Sequence, residues 1–156
     1  MLKWFKSLFG VPQPSGPSET IRQFRSAEPT LSKSDLAAEG DGWVINVKDT
    51  QTVRLFEVAG VELEQCLLTY RAQMKTESLS GRAFLEMWCR LPGRGEFFSK
   101  GVQHAVSGTT DWASYQVPFL LRKGQKPDLI KLNLVVEGKG RVWLKAVELL
   151  RTPLSC

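Results

Sequence analysis

From Trp43 to Leu150 the apolar side chains recur at every second position, and no stretch in that span holds a helical period long enough to compete. A period of two puts alternate side chains on opposite faces of an extended chain, so these residues read as strands with one buried face each. The runs are Trp43 to Val47, Thr52 to Val58, Gln65 to Lys75, Ala83 to Leu91, a short Phe97 to Ser99, Trp112 to Leu121, Leu129 to Glu137 and Arg141 to Leu150. Turn chemistry separates them at Glu77 to Gly81, Pro92 to Gly95, Gly108 to Asp111, Lys123 to Asp128 and Gly138 to Gly140. About eight strands without a long helix predict an all-β fold in which two antiparallel sheets pack face to face.

The chain has 156 residues, 42% of them hydrophobic and 24% charged, enough apolar material for one adequate core. The reading places the sandwich domain at 19–152, behind an N-terminal segment and linker at 1–18. Residues 1–10 put Leu2, Trp4, Phe5, Leu8 and Phe9 on one helical arc and Lys3, Lys6 and Ser7 on the other, the pattern of a short amphipathic helix. It is far shorter than the ~20 residues that span a bilayer and lacks a signal-peptide core. Two readings stay open for it: peripheral contact with a membrane surface, or a frayed or partner-docked terminus. Pro12, Pro14, Gly16 and Pro17 cannot continue a helix and form a semi-extended tether. The stretch from Glu19 to Gly42 is thin in apolar residues and reads as loop with one short strand or helical turn.

The net charge of +5 is scattered, with no run of four basic residues, which argues against nucleic acid as the partner. Cys66, Cys89 and Cys156 form an odd set without a Cys-x-x-Cys pair, so neither a zinc site nor a disulfide framework is expected. A reducing compartment follows, cytoplasmic or membrane-peripheral rather than secreted. His104 is the sole histidine, and no Gly-x-Ser-x-Gly elbow or phosphate-binding glycine loop accompanies it, so no catalytic residue, metal or cofactor is assigned. Glu86 and Glu96 are the one pair of carboxylates resembling glycosidase chemistry, and an ion-pair role competes for them.

Parity sorts the faces. Cys66, Leu68, Tyr70, Ala72 and Met74 share the inward side of one strand, as do Ala83, Leu85, Met87, Cys89 and Leu91 on the next. Outward lie Arg71 and Gln73 on the first, and Glu86, Trp88 and Arg90 on the second. If residues 77–80 turn the chain back, the two strands form a hairpin that sets Arg71 and Gln73 beside Glu86 and Trp88. Asn133 is outward on a later strand, and Glu96, Ser99 and Lys100 are placed at the rim. An indole platform among guanidinium, carboxylate and amide groups suits a glycan or another polar small ligand. The competing reading covers Trp88 with the 92–108 loop and makes Arg71 and Glu86 a cross-strand ion pair. In the last strand Val142 and Leu144 take one parity and Val147 and Leu149 the other, which a bulge near Lys145 reconciles.

Ala83-Phe-Leu-Glu-Met-Trp88, Gly108-Thr-Thr-Asp-Trp112 and Gly138-Lys-Gly-Arg-Val-Trp-Leu144, in that order, resemble the galactose-binding-like jelly-roll domains, the fold of many carbohydrate-binding modules. The resemblance implies a non-catalytic binding module with its ligand on a sheet face, carried here by Arg71, Gln73, Glu86, Trp88, Arg90 and Asn133. The alternative is a protein-interaction or structural domain held at a membrane by residues 1–10. Similar domains often carry Trp-x-Asp-Asp in the closing strand and hold calcium. This chain has Lys145 and Ala146 where the two carboxylates would stand, so no calcium is expected there.

Overall fold

The structure is a computed structural model and describes residues 13–155. The amphipathic segment expected at 1–10 lies outside these residues. Among the described residues ten strands run β1 Gln13–Pro14, β2 Glu19–Phe24, β3 Leu36–Glu39, β4 Gly42–Val47, β5 Gln51–Ala59, β6 Cys66–Leu91, β7 Gly95–Lys100, β8 Val106–Leu121, β9 Leu129–Glu137 and β10 Gly140–Ser155. One short 3₁₀ turn, Val102–His104, is the sole helical element among them, and none is long and apolar enough to cross a membrane.

All pairing is antiparallel, in one curled sheet that folds into two layers. In the first layer the order is β3-β4-β10-β6-β8, using the N-terminal half of β6, and β2 and β1 continue along the edge of β10 beyond β4. In the second it is β5-β9-β6-β7, using the C-terminal half. The inner faces interlock: Phe24 stacks on Phe56 with centroids 4.1 Å apart, and Trp43 meets the same ring edge-on at 5.5 Å. Tyr70 from the first layer donates its hydroxyl to the backbone oxygen of Asn133 in the second at 3.1 Å, inside a single apolar core.

The expected hairpin is corrected. Residues 65–75 and 83–91 are not two strands joined by a turn but one 26-residue strand, bent where Ser78 takes φ 50°. Inward parity switches there from even numbers (Cys66 to Met74) to odd (Ala83 to Leu91), as the sequence pattern required, while the chain passes from one layer to the other instead of doubling back. Gly81 makes the bend possible, since a Cβ on it would lie 1.7 Å from the backbone oxygen of Glu137. The Gly108 to Asp111 segment is likewise no turn between strands but part of β8, where the register slips and Gly108 takes φ 70°. The region from Glu19 to Gly42 holds two short strands, β2 and β3. The bulge expected near Lys145 is present between Lys145 and Glu148, with Ala146 at φ 53°, and it buries Val142, Leu144, Val147 and Leu149 together.

Candidate functional site

The outer face of the second layer is built from two cross-strand rows. Direct partners in the first row are Arg54, Asn133, Glu86 and Lys100, and in the second Glu57, Lys131, Trp88 and Phe98. A groove of about 370 Å³ runs between them, lined by Thr52, Arg54, Glu86, Trp88, Lys131 and Asn133, with Glu96 at its border.

Trp88 is half-buried at the groove wall. Its neighbour Phe98 is 55% exposed, with ring centroids 5.1 Å apart and planes tilted by 53°. The chain after Pro92 therefore flanks the indole as strand β7 and does not bury it. Such a pair presents a broad apolar shelf whose edges stay wet. The polar half of the groove is pre-arranged. Asn133 donates from Nδ2 to Glu86 Oε1 at 2.9 Å, Lys100 Nζ approaches Glu86 Oε2 at 3.6 Å, and Lys131 pairs with Glu96 at 2.9 Å. Glu86 keeps only 7% of its side chain exposed, so these partners are what make its burial tolerable.

The remaining expected site residues separate. Arg71 and Gln73 stand on the outer face of the first layer, the opposite side of the sandwich. Arg71 donates to Glu148 Oε1 from Nη2 at 2.8 Å and from Nε at 3.2 Å. The expected Arg71 to Glu86 pair does not form, because β6 carries the two halves into different layers. Arg90 shares the face of Trp88 but is drawn to the strand end by Asp128, which accepts at 2.8 and 3.2 Å. The Arg90 hydrogen bonds hold the Asp128 carboxyl below its ordinary range. Ser99 stands opposite Met87 and so takes the inward parity rather than the rim, whereas Glu96 and Lys100 share the outward parity of Phe98. Thr52, Arg54 and Phe98 were not among the expected site residues. The alternation of Thr52 and Arg54 with buried Val53 and Leu55 contains that signal, and what hides it is the register shift between Arg54 and Phe56.

His104 lines a wider depression of about 490 Å³ with Lys100, Gln103, Ser114, Tyr115 and Gln116, and no carboxylate or thiol borders it. Among the described residues no group of three or more His, Cys, Asp or Glu side chains is placed to hold a metal ion.

No family model matches the chain, and no curated protein matches it. Solved structures do. A family 29 carbohydrate-binding module variant solved in complex with cellulohexaose superposes with a TM-score of 0.55 at 16% identity, over 88% of this chain and 92% of that one. Another family 29 module gives 0.55 at 18% identity over 88% and 89%, and a family 4 module 0.54 at 10% identity over 76% of each chain. The chain has the β-sandwich jelly-roll fold of carbohydrate-binding modules.

Proposed function

We propose that this protein is a non-catalytic glycan-binding module whose ligand lies in the groove on the second layer, against Trp88 and Phe98. The observation that carries the reading is the half-exposed aromatic pair beside the fixed Asn133 amide and Glu86 carboxylate and the exposed Arg54. The C–H face of a sugar ring removes apolar area from water on the indole. Its hydroxyls meet Asn133, Glu86, Arg54 and Thr52, which line the groove and supply both donors and acceptors. The carbohydrate-binding modules of the same fold support this choice of ligand class.

Binding rather than chemistry also suits the carboxylates. Glu86 and Glu96 each sit beside a lysine ammonium, at 3.6 and 2.9 Å, and Glu86 also accepts from Asn133. Carboxylates so engaged are acceptors held in place by cations rather than a free acid and base.

The test is a glycan array followed by calorimetry with the best soluble oligosaccharide. The wild-type protein is expected to bind, and Trp88→Ala to weaken binding at least about tenfold, since buried aromatic anchors carry a disproportionate share of interface energy. Circular dichroism of the variant reports that the sandwich persists. Absence of any glycan hit, or an affinity unchanged by Trp88→Ala, would overturn the reading.

A further inference from the structure

The first layer carries a second aromatic groove on the opposite side of the sandwich, of different chemistry. Trp143 on β10 and Trp112 on β8 are both half-buried and both face outward, with Lys75 of β6 opposite Trp143 in the sheet. Together with Lys145, Glu39 and Asp41 they line a groove of about 250 Å³. Each indole is capped by an ammonium: Lys75 Nζ lies 4.7 Å from the Trp143 centroid and Lys145 Nζ 4.2 Å from that of Trp112. Arg141 is also 5.6 Å from the Trp143 ring, but its guanidinium is engaged by Asn46 at 2.8 Å and Glu77 at 3.7 Å. Glu39 is engaged as well, accepting the Trp143 indole N–H at 2.8 Å, which fixes the ring.

The two lysines are different. Among the described residues neither has a carboxylate within 4.0 Å, unlike Arg141 beside them, and each instead rests on an indole face. An exposed cation–π contact is worth only about 0.5–1 kcal/mol, so the ammonium groups leave the rings readily for a better partner. A neutral ring would displace them without return. A ring bearing an anion takes the indole face and supplies each displaced ammonium with a charged acceptor. The overall charge of +5 favours the encounter.

We infer that this groove binds an anionic sugar, its ring on Trp112 or Trp143 and its carboxylate or sulfate on Lys75 and Lys145. The site is independent of the Trp88 groove, and Asp41 is an acceptor for the hydroxyls of the same ring.

Affinity electrophoresis of the full chain through gels containing polygalacturonate, dextran sulfate, neutral dextran or polyglutamate tests this. Retardation is expected in polygalacturonate or in dextran sulfate, the two distinguishing a carboxylate from a sulfate, and not in dextran or polyglutamate, which lack the anion and the ring respectively. Lys75→Gln with Lys145→Gln, and separately Trp112→Ala, are expected to weaken it at least about tenfold, equivalent to ~1.4 kcal/mol. Lys33→Gln with Lys123→Gln removes the same charge elsewhere and is expected to leave most of it, and Trp88→Ala to leave it whole. No retardation by either polysaccharide overturns the inference. So does equal retardation by polyglutamate, or equal loss in the two double-lysine variants. Loss of neutral-glycan binding alone would count against the Trp88 groove and leave this one standing.

Discussion

Cys89 lies in the core beneath the Trp88 face, where burial pushes its thiol up to about 12 and nearby Cys66 adds to the rise; burial raises Cys66 in the same sense. The thiolate is the reactive form, so both are inert in the folded protein. Alkylation with iodoacetamide at pH 8 is expected to leave both unlabelled until denaturant unfolds the chain, and mass spectrometry finding either modified under native conditions would contradict that burial. At Glu148, burial acts to raise the carboxyl, but hydrogen bonds from Arg71 and Gln23 outweigh it and the group lies below its ordinary 4.5. The folded state therefore holds this proton more weakly than the unfolded one. Its stabilisation is present above about pH 4.5 and fades as pH falls further. Glu148→Gln is expected to lower the urea midpoint at pH 7 and to converge on the wild type at pH 3; a gap that stays constant with pH contradicts the assignment. At this scale the sequence was readable by parity, which sorted inward from outward side chains for Cys66 to Met74 and Ala83 to Leu91. It was not readable in partner choice, as Arg71 meeting Glu148 shows.

Strand β6 shows why elements are harder to read than residues. Residues 77–81 hold the Ser and Gly that a hairpin turn uses, and the same residues serve a bend that hands one strand from layer to layer. Local chemistry is identical in the two cases. What differs is whether the following segment pairs with the preceding one or with β9, a choice made by distant residues. The bulge in β10 was legible because burial demanded it: two apolar parities in one strand need an extra residue between them. The bend leads to a firm expectation. Gly81→Ala forces its methyl against the Glu137 carbonyl and costs about 1–3 kcal/mol, the usual range for overpacking. A thermal melt should register this as a drop of several degrees, and an unchanged midpoint would mean that β6 does not bend as described.

For the whole molecule, the decisive consequence of a shared β6 is that neither layer closes without the other. Trp43 and Phe24 from the first layer meet on Phe56 of the second, so Trp43→Ala should cost about 3–5 kcal/mol. Far-ultraviolet dichroism and tryptophan fluorescence should then report one coincident transition in both proteins. Two separated transitions would show layers that fold apart. The all-β sandwich was legible from the period of two, and the resemblance named its fold. The division of the expected ligand residues between two outer faces was not, since parity says that a side chain points outward without saying out of which layer. Arg71 and Gln73 belong with Trp112 and Trp143 on one side, and Glu86, Trp88 and Asn133 stand on the other. The most direct measurement of the account is a ¹⁵N titration with a neutral oligosaccharide taken from the array, following indole and side-chain amide signals. The Trp88 indole N–H and the Asn133 amide are expected to move together while Trp43 stays still. Shifts confined to Trp112 and Trp143, or none at any indole, would contradict it.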